Sequence, residues 1–225
     1  MGVRTVDRVT RTSVGLKVVM AVSGGLLVLF LVAHMLGNLK VFAGAHAFDG
    51  YAAWLRGLGE PVLPHTAYLW LQRGVLTLAV LAHLWSATVL TIRARRARPV
   101  RYAHRSPVQG SYAARTMRWG GVIIALFVAF HLLDLTTGQL NPVGNHLHPY
   151  ANVVADFAPR RWPVTLFYTL AILAVGPHLS HGIASALRTL GRPAPNARVA
   201  STAIAVLLCA GYLSVPFAVL TGLVS

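Results

Sequence analysis

Residues 17–40 read KVVMAVSGGLLVLFLVAHMLGNLK. Between the two lysines lie twenty-two residues without a formal charge, about 33 Å of helix at 1.5 Å per residue. That is enough to cross the hydrocarbon core of a bilayer. The stretch holds one ionisable side chain, His34. An imidazole without a partner is costly in hydrocarbon, so an intramembrane histidine points first to a function.

The rest of the chain has the same character. Of 225 residues 56% are hydrophobic, the mean hydropathy is +0.61, and there are only five carboxylates, too few charges for a soluble surface. Four further apolar stretches, 66–92, 117–138, 164–187 and 200–223, join 17–40. The expectation is an all-α integral membrane protein, a single transmembrane domain over 1–225 with five spans. The first apolar run is too long for a signal peptide and no small-residue cleavage site follows it, so it reads as retained.

The net charge of +15 could suggest nucleic acid, but its placement argues otherwise. With the N-terminus cytoplasmic, fifteen basic residues fall on the inner side: Arg4, Arg8, Arg11, Lys17, Arg93, Arg95, Arg96, Arg98, Arg101, Arg105, Arg115, Arg118, Arg188, Arg192 and Arg198. Five fall outside: Lys40, Arg56, Arg73, Arg160 and Arg161. This positive-inside asymmetry orients the spans with the N-terminus inside and the C-terminus outside, and leaves an inner face suited to an acidic partner or anionic lipid; the expected location is a bacterial cytoplasmic membrane. The one cysteine, Cys209, can form no intrachain disulfide and reads as a small buried residue.

Between the spans, residues 1–16 form a basic lead that could pack as an interfacial helix. The outer loop 41–65 has room for a short helix, with Tyr51, Trp54 and Tyr68 suited to an aromatic belt. The second outer loop is rich in turn residues; Gly191, Pro193 and Pro195 mark a turn, and Pro216 a kink.

Ten histidines sort by depth. His46, His65, His104, His146 and His148 fall in loops or at span ends; the HLH of 146–148 is a weak metal signal without further ligands. The others lie within spans. Counted from the nearest inner basic residue, His34 is about 26 Å deep and His131 about 20 Å, while His83 is about 15 Å and His181 about 10 Å. Two pairs result, His34 with His131 above and His83 with His181 below. Facing neutral imidazoles across a helical bundle suit the two axial positions of a haem iron. Ser23, Gly24, Gly25, Gly120, Gly121 and Gly182 would let a flat ring press against backbone, or simply let helices pack closely. His178 and His181 share a face and depth does not separate them, since His178 matches His83 better by count.

Asp134, in FHLLDLTTG, is the only carboxylate within a span. It could relay protons in quinone chemistry, cap local polar groups, or pair with Arg73. Glu60, at the outer interface, is a second candidate for the relay.

The stretches MAVSGGLLVLFLVAHMLGNL, HLLDLTTG and HLSHGIASALRTLG resemble the cytochrome b membrane-anchor subunit of succinate dehydrogenases and fumarate reductases, in its five-helix, two-haem form. HMLGNL and HGIASALRTLG are the most specific parts, and the likeness runs from about residue 15 to 223. The second outer loop, with its NHLH segment, is where the sequence departs from the pattern. The resemblance implies two b haems: a proximal one on His83 and His181, with His178 beside it near a propionate, and a distal one on His34 and His131. It also implies flavoprotein and iron–sulfur subunits on the cytoplasmic face, and a quinone, menaquinone above all, as electron acceptor. The competing readings are a cytochrome b of hydrogenase or formate dehydrogenase type, and a transporter that moves protons or metal ions on histidines.

Overall fold

The computed structural model describes residues 12–97, 112–192 and 195–225, with backbone alone for 112–116. The basic lead through Arg11, the inner-loop residues Arg98, Arg101, His104 and Arg105, the side chain of Arg115, and Pro193 lie outside the described residues. Everything described is helix, turn or loop, and five helices are long and apolar enough to span a membrane. The chain is a multi-pass, all-α membrane protein.

Helix α1 covers Ser13–Asn38; the Thr12 side chain caps it by accepting from the Gly15 N–H at 3.0 Å. A 3-10 turn, Leu39–Ala43, leads through Gly44 into α2, Ala45–Arg56, the short helix expected in the first outer loop. The spanning helix α3 is Ala67–Arg96. Helix α4, Tyr112–His131, continues into a π-helical turn, Leu132–Thr136. After a loop come α5, Pro149–Asp156, the 3-10 turn Pro159–Arg161, α6, Trp162–Thr189, and α7, Ala197–Leu220. Helices α1, α3, α4, α6 and α7 are the five spans.

α5 is a short helix inside the second outer loop, the segment rich in turn residues. Pro149 stands in the first turn, where its missing N–H costs nothing, and two turns of YANVVAD follow. The approach is stitched by asparagines: Asn141 Oδ1 accepts from the N–H groups of Val143 and Gly144, and Asn152 exchanges two 2.8 Å bonds with the Asn145 backbone. This fixes where α5 ends, and Asp156 with it.

Contacts give the register. Ser13 meets Arg93 and, ten residues further along both helices, Ser23 meets His83, so α1 and α3 run antiparallel. Gly121 lies against His178, and Phe127 and His131 against Tyr168, so α4 and α6 are antiparallel too. α6 is the hub, packing on α1, α4 and α7. It ends where the Arg192 N–H reaches the Leu187 carbonyl at 2.9 Å and the Gly191 N–H the Arg188 carbonyl at 3.2 Å, a closure that needs Gly191 at φ +74°. Helix α7 runs on through Pro216.

Small residues sit at the helix contacts, among them Ala171, Ala184, Ala205 and Ser201, while Leu29, Leu78, Trp119 and Leu207 point outward. That is the arrangement expected where the solvent is lipid and packing rather than water exclusion joins helices. At the end away from Arg93, Arg188 and Arg192, Val41, Val153, Phe157, Tyr168, Val215 and Val219 form the largest core.

Candidate functional site

The bundle brings the span histidines together in two places. His34 of α1 and His131 of α4 have ring centroids 5.9 Å apart, nearly perpendicular. Phe30 stacks on His34 at 5.2 Å and Phe127 leans on His131 at 5.8 Å. Tyr212 of α7 closes a third side, its hydroxyl donating to the Leu31 carbonyl at 2.7 Å.

The second pair is His83 with His178, centroids 6.3 Å apart. Here the structure differs from the expectation of His181. Three residues along a helix turn a side chain by about 300° and shift it about 4.5 Å, enough to change the neighbour it meets. His178 therefore looks toward α3 and α4, against Gly121, with its Nδ1 buried and unpartnered. His181 is only partly buried, makes no ring contact among the described residues, and has Arg188 and Arg198 as charged neighbours.

The pairs are stacked along the bundle. His83 lies against Ser23 and Gly24, ten residues before His34 on α1, and His178 lies ten residues after Tyr168, the neighbour of His131. Both counts give roughly 15 Å between the two levels.

The second nitrogens are partly committed. Tyr168 Oη gives its one hydrogen to Asp134 Oδ2 at 2.9 Å, so toward His131 Nδ1, 3.4 Å away, it can act only as an acceptor. Ser23 Oγ likewise donates to the Val19 carbonyl at 2.7 Å and can accept from His83 Nδ1 at 3.4 Å. With hydrogen on Nδ1, both rings keep the Nε2 lone pair for a ligand, the way such partners orient metal-binding histidines.

A haem fits this donor set. Two metal–nitrogen bonds of about 2 Å and half an imidazole at each side make roughly 6 Å between the centroids, close to both gaps. Gly24 supplies the close approach: a Cβ there would lie 3.2 Å from His83 Cε1. The unpartnered Nδ1 of His178 is a buried polar atom that still needs an occupant or a turned ring.

Beyond His131 lies an acid cluster. The π-helical turn carries Asp134 inward, where it is 0% exposed, and α5 brings in Asp156, also 0% exposed. Arg161 Nη2 donates to Asp156 Oδ1 at 2.8 Å. Burial pushes the Asp156 carboxyl up to about 7; Asp134 beside it adds to the shift, and Arg161 opposes it. Arg73 is not the partner of Asp134; its guanidinium lies 4.7 Å over the Trp70 ring. Glu60 is 48% exposed and pairs with His65 Nδ1 at 2.8 Å.

The HLH segment is used in loop packing. His148 Nδ1 stands 3.2 Å from Asp49 Oδ2, and the His146 carbonyl accepts from Arg56. Among the described residues no cluster of three or more His, Cys, Asp or Glu could hold a metal ion. Sequence reasoning passed over Tyr168, Asp156 and Arg161. A tyrosine inside an apolar span, whose hydroxyl must find a partner, was the available signal. Comparison with protein-family models, curated proteins and solved structures gives no match.

Proposed function

We propose that this chain is the cytochrome b membrane-anchor subunit of a succinate:quinone oxidoreductase, of the succinate dehydrogenase and fumarate reductase kind, carrying two b haems. The observation that carries the reading is the stacking of two facing histidine pairs, 5.9 and 6.3 Å across, in one membrane bundle.

When bound, haem supplies reversible one-electron chemistry at two depths, linking an iron–sulfur partner on one side to a quinone on the other. The protein's part is to hold and tune it. His34 and His131 would hold the haem of one level and His83 and His178 that of the other; His181 stands beside the second. Ser23 and Tyr168 fix the tautomers of His83 and His131. Phe30 and Phe127 keep water from the first pair.

The arginine-rich end, with Arg93, Arg95, Arg96, Arg188 and Arg192, is the cytoplasmic face on which flavoprotein and iron–sulfur subunits dock. Menaquinone reduction belongs at the opposite end, near His34 and His131, with Asp134 as its proton donor. A tagged chain isolated from its native membrane should bring flavin and iron–sulfur clusters with it, and succinate should reduce its haem. A complex that answers to hydrogen or formate, with its iron–sulfur partner on the other face, contradicts the proposal.

A further inference from the structure

Asp134 and Asp156 come from different elements, the π-helical turn after α4 and the last residue of α5, and meet with no exposed surface on either. Each has one satisfied oxygen. Asp134 Oδ2 accepts from Tyr168, and Asp156 Oδ1 accepts from Arg161. The other two, Asp134 Oδ1 and Asp156 Oδ2, are buried with no donor, and the two carboxyl groups are neighbours. Two ionised carboxylates bring only acceptors to such a contact. Buried oxygens left in that state are destabilising, and more so when charged.

Charge leads to the same point. The groups facing the pair are Tyr168 and Arg161. One guanidinium against two carboxylates leaves a net negative charge in a buried site. One proton removes it.

We propose that Asp134 and Asp156 hold a single shared proton, an O–H···O⁻ bond that joins α4 to α5 and forms a one-proton reservoir at this end of the bundle. The proton supplies the missing donor, and a charge-assisted bond of this kind is among the stronger hydrogen bonds. Burial and the neighbouring acid both favour retaining it, against the pull of Arg161. Arg161, 27% exposed, stands where the pair meets water, so exchange with the aqueous side passes beside it. Toward the interior the pair is continued by the Tyr168 hydroxyl. The site goes beyond the proposed function and stands without any bound cofactor.

The test is infrared spectroscopy of the full chain in lipid nanodiscs, read at the carbonyl stretch of a protonated carboxyl group. Five side-chain carboxyls make the spectrum sparse. The wild type should show one such band at neutral pH that shifts in heavy water. Both Asp134→Asn and Asp156→Asn should abolish it, because an amide in either position donates the missing hydrogen and leaves the other acid ionised. A band lost in Asp156→Asn but kept in Asp134→Asn would mean an isolated protonated acid and overturn the sharing. No band in the wild type would overturn the proposal outright, and that reading needs no variant to fold.

Discussion

The His83 and His178 rings meet across the bundle, centroids 6.3 Å apart and planes tilted by 58°, with His178 Nδ1 buried and unpartnered. His181, one turn further on, makes no ring contact among the described residues. The residues bordering the pair, Gly24 and Gly121, have no side chains to separate the helices, and this is what lets two imidazoles approach at this depth.

If these rings are axial ligands, His178→Ala should remove one haem of two, while His181→Ala should retain both. Haem content per chain and redox titration of the haem absorbance read the outcome. Loss in His181→Ala with retention in His178→Ala would return the assignment to His181.

Gly24 offers a controlled steric test. A Cβ on Gly24 would lie 3.2 Å from His83, whereas one on Gly25 meets nothing within 4 Å. Gly24→Val should lower the content of the His83 haem and shift its midpoint potential. Gly25→Val should do neither. Equal effects would place the constraint in general helix packing.

Much of this was legible in the sequence. Hydropathy located the five spans, though α1, α3 and α6 run past the apolar edges because polar side chains at the bilayer boundary do not stop a helix. Counting depth from basic residues paired His34 with His131. The same count could not separate His178 from His181, since depth is a coordinate along the axis and the choice depends on rotation about it. Asp134 was visible as a lone carboxylate in an apolar span. Its partner was not, because Asp156 lies in a loop whose fold depends on side-chain bonds of Asn141 and Asn152.

Asp134→Asn should leave both haems and succinate oxidation by an artificial acceptor intact, and slow quinone reduction roughly a hundredfold, the lower range for loss of a general acid. Glu60→Gln should change little, because Glu60 is half exposed and already paired with His65. Normal quinone turnover in Asp134→Asn, with a slow Glu60→Gln, would transfer the role to Glu60.

Stability should carry the mark of Asp156. Its folded carboxyl is held up to about 7 against 3.8 unfolded, mainly by burial, so the folded chain binds the proton more tightly. Stability from this source is full below the unfolded value and is lost as pH rises through about 7. Thermal unfolding followed by helical circular dichroism should show that decline in the wild type and a flatter profile in Asp156→Asn. A steeper decline in the variant would contradict it.

The central claim is that two histidine pairs each hold a haem. The reduced-minus-oxidised absorbance spectrum of the purified chain, with haem counted against protein, tests it most directly. The account predicts a b-type spectrum, two haems per chain, and two components on redox titration. A colourless chain, or one haem titrating as a single component, would contradict it.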